Sequence, residues 1–476
     1  MGVNREQWEP LLADLAARRS AAQAMGGEER LAGLGGPNAR DRIAALLDPG
    51  SFAEIGLLGG ELPADGFVAG SGSVDGKPVL VGAEDFSVAG GSIGVAAASK
   101  RERIARLAGQ ERVPLLMFLE GAGHRPSNSL HPHRPAPNDL QALADLSGKV
   151  PVVAVVAGPS AGHSALTAAL ANLVVLVRGS GQLFSAGPPL VRAALGEDVS
   201  KEELGGTGVH AVHSGLVDLV AADLPEAIGQ VRRYLSLIPP SALAAEQERR
   251  TDSLLDLIPP NDRVPYDVRP VVEELLDRET WFELGRDHAA SMLTGLGRLG
   301  GHVIGVVANQ PAVRAGAIDT PAADKAARFI EHVTGFGVPL LMLADNPGLL
   351  GGRDQERAGV LRAGARLFLA QHRAEVPKFH VTMRKAFGFG SSVMGQNAFD
   401  RQTLSLALPG ATLGAMPARV GAETSKADAG TSQALAEGEA AGPWRLAGTV
   451  TYDDVVHPAE LRNRLLSGLR LAIPAR

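Results

Sequence analysis

Residues 113–123 read VPLLMFLEGAG, and residues 338–348 read VPLLMLADNPG. In both, a Val-Pro pair enters a short all-apolar run that stops at a glycine-containing turn. Runs of this length, bounded by turn residues, read as strands buried on both faces of a sheet. The offset between the two is 225, and the flanking sequence keeps it. Gly90, Gly91 and Lys100 stand opposite Ala315, Gly316 and Lys325. Val150-Pro151 meets Val376-Pro377 at 226, which sets Gly162 of GPSAGH opposite Gly388 of KAFGFG. Upstream, DPGSFAEIG (48–56) meets DRETWFELG (277–285) at 229. Apolar strands resemble one another by composition alone, but that accounts for one match and not for an ordered series. The chain is a tandem duplication.

Each copy has the same coarse order. A strand (Pro78–Glu84, Val303–Ala308) leads through small residues to a helix (Ser99–Ala108, Ala322–Thr334). The Val-Pro strand and its turn follow, then a second Val-Pro strand whose glycine-rich turn opens another helix. Short apolar strands alternating with helices predict an α/β fold with a mostly parallel sheet in each copy. Pro pairs and the charged stretch Glu246–Asp252 place the boundary within Pro239–Asn261, giving domains at 1–245 and 246–476. The longest apolar stretch, Val150 to Val177, contains Pro159, Gly162, His163 and Asn172, so it reads as strand, turn and helix and not as a membrane span.

The composition narrows the function. The 476 residues carry a net charge of −6, spread along the chain, which argues against nucleic acid or an anionic membrane as partner. There is no cysteine, which excludes disulfides, thiolate zinc sites and a cysteine nucleophile. The N-terminus lacks an apolar signal region, and Glu6 breaks the myristoylation pattern, so a cytoplasmic location is expected. Met-Lys, the biotin-attachment pair, does not occur, and there is no Walker A loop.

Four turns lie where strands of such a fold present ligands: Glu120–Arg125, Gly158–His163, Asp345–Gly348 and Ala386–Gly390. They are rich in Gly, Ala and Ser and poor in side-chain acids, bases and nucleophiles. What they offer is main-chain N–H groups at helix starts, which suit a developing oxyanion. The competing reading is that the glycines only permit tight turns.

Over about Arg40 to Arg470 the sequence resembles the carboxyltransferase (beta) subunits of biotin-dependent acyl-CoA carboxylases, within the crotonase superfamily. The resemblance rests on RDRIAALLDPGSFAE (40–54), DFSVAGGSIG (85–94), GEDVSKEELGG (196–206), PYDVRPVVEELLD (265–277), ANQP (308–311), KAARF (325–329), DNPGLLGGRDQERAG (345–359) and RKAFG (384–388). It implies two crotonase-like ββα spiral modules, the first the acyl-CoA half and the second the biotin half. It further implies that carboxybiotin, on a separate carrier, delivers CO2 to the α-carbon of an acyl-CoA, with the biotin nitrogen taking the α-proton. The site would form between the first module of one chain and the second module of another, in a hexamer built as a trimer of dimers. Expected partners are therefore a biotin carboxylase with its biotin carrier, acyl-CoA, and further copies of the chain.

By that resemblance the thioester oxygen falls to Ala122 and Gly123, and the biotin oxygen to Phe389 and Gly390. Gly162 and His163 would complete the first hole. His124, Gly388, Ser391, Ser392 and Lys100 are further candidates for substrate binding. Departures from the family pattern gather at these positions. Gly121-Ala122-Gly123-His124-Arg125 replaces S-G-G-A-R, Gly388-Phe389-Gly390-Ser391 replaces G-G-A-Y, and His163 replaces a small residue. They point to an unusual acyl group.

Other signals compete. Gly158-Pro-Ser160-Ala-Gly162 fits the G-x-S-x-G elbow, and Asp198 with His210 or His213 could complete a serine hydrolase triad. A biotin-linked decarboxylase and an inactive scaffold or regulatory paralogue are further readings. His124, His131 and His133 share a Pro-rich loop but have no acids or cysteines to complete a metal site, so no metal is expected. Lys100, Arg101, Arg103 and Arg106 could meet CoA phosphates or form a solvated face. Glu120 and Asp345 are equivalent and could be catalytic or structural.

Overall fold

The computed structural model describes residues 3–34, 36–130, 138–241, 248–397 and 399–473. His131 and His133 lie outside them. The chain divides into two compact units, Met1–Pro239 and Pro240–Arg476.

The strands of the first unit are β1 (Ala53–Glu54), β2 (Phe67–Val74), β3 (Lys77–Glu84), β4 (Leu115–Leu119), β5 (Val152–Val156), β6 (Pro159–Ala161), β7 (Leu173–Val177), β8 (Gln182–Phe184) and β9 (Leu219–Ala221). Those of the second are β10 (Phe282–Leu284), β11 (Met292–Leu299), β12 (His302–Asn309), β13 (Leu340–Asn346), β14 (Lys378–Phe387), β15 (Leu404–Ala407), β16 (Thr412–Gly414) and β17 (Asp454–Val455). Among the described residues the first unit's main sheet runs β1-β2-β3-β4-β5-β7-β9, with β6 paired to β8 beside it. The second runs β10-β11-β12-β13-β14-β15-β17, with β16 on the far end of β14. The order is the same: an antiparallel hairpin feeds a parallel run. The two strands quoted first are β4 and β13, at equivalent places, and all their residues are buried. LLMFL, VVAVV and LVVLV have no polar face because helices cover both sides of a parallel sheet.

The duplication reaches individual hydrogen bonds. Asp75-Gly76 turns the first hairpin and Gly300-Gly301 the second, all at positive φ, the conformation that two-residue hairpin turns require. A carboxylate from an upstream segment seats each turn. Asp48 accepts from Asp75 N (3.0 Å) and Gly76 N (2.9 Å), and Asp277 from Gly300 N (2.9 Å) and Gly301 N (2.7 Å). The two-pronged ion pair Arg40–Glu54 returns as Arg269–Glu283.

After each hairpin three residues have positive φ: Ala89, Gly90 and Gly91 in the first copy, Arg314, Ala315 and Gly316 in the second. The third must be glycine. A Cβ on Gly91 would lie 2.3 Å from Glu120 O, and one on Gly316 would lie 2.2 Å from Asp345 O. This packing presses the turn before the helix (Val95–Glu111 or Thr320–Gly335) against the turn after the central strand. An isolated bridge ties the two turns in each copy, Ile93 to His124 and Ile318 to Leu349.

Candidate functional site

In the first unit the turns after β4 and β5 converge. Gly123 has φ +79, and a Cβ there would lie 2.7 Å from Ala161 O and 3.7 Å from His163 N. The main-chain nitrogen of His163 is therefore a close neighbour of Gly123. Gly123 N–H has no acceptor among the described residues. His163, first residue of the helix His163–Leu170, has no intrahelical acceptor for its own N–H. The helix dipole adds positive potential at that end. The neighbouring amides are committed. Ala122 N donates to Gly90 O (3.0 Å), and Gly162 N to Phe184 O (2.9 Å). Of the sequence-derived candidates Ala122, Gly123, Gly162 and His163, Gly123 and His163 are the two whose N–H groups have no acceptor among the described residues.

Beneath this pair lies a chain of buried charges. His163 Nε2 is 2.6 Å from Asp139 Oδ1. The other oxygen of Asp139 accepts from Arg101 Nε at 2.7 Å. Arg101 also donates to Glu84 (2.8 Å) and Thr167 (2.7 Å), and Glu84 accepts from Ser164 Oγ (2.5 Å) and Glu120 N (2.9 Å). Asp139, Arg101 and Glu84 are all buried. Burial alone would raise the Asp139 carboxyl, but the hydrogen bond from His163 and the charge of Arg101 outweigh it and hold it at about 2. Burial pushes the Glu84 carboxyl up, against the opposing charge of Arg101. Sequence reading missed this network because its members stand far apart in the chain. The available signal was Arg101 itself, which shares the buried stripe of its helix with Ala97, Ile104, Ala105 and Ala108.

The second unit forms the same turns differently. Gly388 has φ +54, like Gly162 at +56, and a Cβ there would lie 2.8 Å from Ala415 O. Phe389 and Gly390 occupy the first turn of the helix Gly388–Val393. Gly390 is glycine because Asn346 Oδ1 would be 2.2 Å from a Cβ. Gly348, the counterpart of Gly123, gives its N–H to Asn346 Oδ1 (3.0 Å), and the counterpart of Ala122 is Pro347, with no N–H to give. The Phe389 side chain is 47% exposed and lies on Phe368 at 5.8 Å between centroids, with His372 stacked beyond. Ser391 Oγ donates to Gly388 O (2.7 Å), and Ser392 O accepts from Asn397 Nδ2 (2.8 Å).

Several sequence expectations are corrected by these contacts. Lys100 does not face solvent. It is buried, with Nζ on the carbonyls of Ala64 (2.5 Å) and Phe67, and burial draws its pKa down to about 8. Lys325 caps the equivalent turn through Gly285, His288 and Met292. Both lysines tie loop carbonyls together, and Arg101 is buried among Glu84, Asp139 and Thr167, so neither Lys100 nor Arg101 forms a solvated face. Glu120 and Asp345 are anchors. Glu120 pairs with Arg42 (2.5 Å), and Asp345 with Arg384 (2.7 Å) and Lys385 (2.8 Å). His124 is exposed, with Nε2 3.2 Å from Asn128 Nδ2. The hydrolase triad does not assemble. Ser160 is buried with Oγ on Gly158 O (3.3 Å), Asp198 pairs with Arg192 at the surface, and both nitrogens of His210 are engaged, by Ser214 Oγ and Leu183 O. Among the described residues no group of three His, Asp or Glu is placed to hold a metal, and no helix is long and apolar enough to cross a membrane.

Doubled hairpin-led modules that present main-chain donors where side-chain nucleophiles are absent define a class built to hold oxyanions, not to attack them. Residues 35–475 match the carboxyl transferase domain, and the chain belongs to that family. It is 32% identical to the propionyl-CoA carboxylase, carboxyltransferase subunit, of Haloferax mediterranei, over 97% of this chain and 96% of that one. It is 33% identical to the methylmalonyl-CoA carboxyltransferase 12S subunit of Propionibacterium freudenreichii subsp. shermanii, over 96% and 93%. The crystal structure of a transcarboxylase 12S, a hexamer with methylmalonyl-coenzyme A and methylmalonic acid bound, superposes with a TM-score of 0.90 at 31% identity over 98% of both chains.

Proposed function

We propose that this chain is the carboxyltransferase subunit of an acyl-CoA carboxylase, moving a carboxyl group between biotin on a separate carrier and the α-carbon of an acyl-CoA. The observation that carries the reading is the adjacent, uncommitted amide pair of Gly123 and His163. Two N–H donors fixed at one point hold a thioester oxygen more tightly as it gains charge than in its neutral state, and this difference lowers the barrier. The first module then takes the acyl-CoA, whose enolate carbon receives the carboxyl group.

The start of the helix Gly388–Val393 would receive the ureido oxygen of biotin through Phe389 and Gly390, with the exposed ring of Phe389 beside the flat bicyclic group. Biotin supplies, when bound, an activated carboxyl group and a nitrogen that accepts the α-proton. The residues of this chain orient the two reactants and hold their oxygens. The two holes belong to different copies of the chain in an assembly of the hexameric kind found in the transcarboxylase relative. Ser392 stands where the resemblance places acyl-chain choice, and the departures at His124 and His163 favour an acyl group larger or more polar than propionyl.

The test is a transfer assay with a carboxylated biotin carrier and a panel of CoA esters, read by mass spectrometry of the carboxylated product. Product from at least one ester is expected, with a preference for one bulkier or more polar than propionyl-CoA. No product from any ester, with binding intact, would leave the scaffold reading standing. Preference for propionyl-CoA would remove the claim about acyl size alone.

A further inference from the structure

The first module carries a side-chain acid–base device that its own duplicate lacks. We infer that His163, oriented by Asp139, exchanges the α-proton of an acyl-CoA whose oxygen lies on the Gly123–His163 amides, independently of biotin. This rests on the first module being the acyl-CoA half.

The geometry is that of a base held by a third group. Asp139 cannot turn away, since Arg101 grips its second oxygen at 2.7 Å and is itself fixed by Glu84 and Thr167. An ionised Asp139 only accepts, so Nε2 of His163 carries the hydrogen in the 2.6 Å contact. Nδ1 has no partner among the described residues. The side chain is one-fifth exposed, and its own main-chain nitrogen lies 3.7 Å from the position of a Cβ on Gly123. The charged groups facing it are Asp139, Arg101 and Glu84.

The duplicate acts as an internal control. At the matching places stand Phe389 for His163, Gly364 for Asp139, Ala326 for Arg101, Asn309 for Glu84, Gly390 for Ser164 and Val393 for Thr167. The pairing survives in apolar form, because a Cβ on Gly364 would lie 3.7 Å from Phe389 Cε1. A network needed only to support the turn would have no reason to be confined to one copy, since the second turn is formed without it.

The step is simple. The α C–H bond breaks, its proton goes to Nδ1, and the electron pair spreads onto the thioester oxygen held by the amides of Gly123 and His163. The imidazolium trades its proton with water and returns one to the same carbon, so nothing else is consumed.

Propionyl-CoA incubated with the protein in D2O, without carrier, would be read by mass spectrometry. We expect deuterium at the α-carbon, with His163→Phe and His163→Asn each slowing the exchange by about 100-fold while the ester still binds in calorimetry. Both variants keep the main-chain N–H, so they separate the imidazole from the amide. Asp139→Asn, which lets the ring turn, should slow exchange without changing the affinity for the ester, and Asp139→Glu should restore part of it. Exchange no faster than in buffer, or equal in wild type and His163→Phe, overturns the inference. Carboxyl transfer by the same preparation then tells the two readings apart. Transfer without exchange removes only the role of His163, whereas an absence of both ester binding and transfer removes the proposed function as well.

Discussion

The two modules share a backbone and differ in what lies under it. Hairpin, strained triplet, bridge and glycine turn match almost residue for residue, yet the first turn rests on His163, Asp139, Arg101 and Glu84, and the second on Phe389, Gly364, Ala326 and Asn309. Free donors differ accordingly. The first copy keeps the amides of Gly123 and His163, while the second has spent Gly348 on Asn346 and retains only its helix start. Main-chain geometry is thus the duplicated device, and side chains beneath it give each copy its own chemistry.

The largest effect should come from breaking the charged underlayer. Arg101→Met leaves Glu84 and Asp139 buried without their cation, and it should cost about 5 kcal/mol in urea unfolding of the first module. A cost below 1 kcal/mol would mean that the network is not what supports this copy. The shared strain comes next. Gly91→Ala and Gly316→Ala push a methyl against a carbonyl oxygen at positive φ, and each should lose about 4 kcal/mol. Unequal losses would show that the copies are less alike in this turn than their coordinates.

The third difference is in pH. In the second module burial lowers the His380 pKa to about 4, and the ring bridges Met394 O and Thr382. The unfolded chain binds the extra proton between pH 6.5 and 4, so stability falls as pH falls through that window and levels off below it. The loss is about 3 kcal/mol. His380→Gln should flatten the slope, and an unchanged slope would place its origin elsewhere. In the first module it is Asp139 that has a lowered pKa, so its contribution is present above pH 3.8 and disappears as pH falls toward 2. The smallest effect is expected for Phe389→Ala, which removes the stack on Phe368 at about 1 kcal/mol. In transfer assays it should raise the KM for the biotin carrier more than that for acyl-CoA, and the reverse would reassign the ring to the acyl site.

The turns were legible because their requirements are local. Gly123, Gly162, Gly348 and Gly388 all have positive φ, and glycine is the residue that accepts it at little cost. The surroundings of Lys100 were hidden for the opposite reason. Nothing near it in sequence reveals that Ala64 and Phe67 present their carbonyls to its ammonium. The same holds for Ala122, whose amide disappears into a bond with Gly90, a residue 32 positions away.

Periodicity, glycine placement and an offset near 225 were enough to fix the duplication, the parallel strands and the positions of the four turns, because such patterns follow from chain geometry over a few residues. Which amides stay free, which cations are buried and which histidine meets a carboxylate was decided only by the tertiary structure. Those outcomes depend on groups brought together across 24 to 80 residues of chain, where burial makes every polar atom find a partner and sequence spacing carries no record of which one.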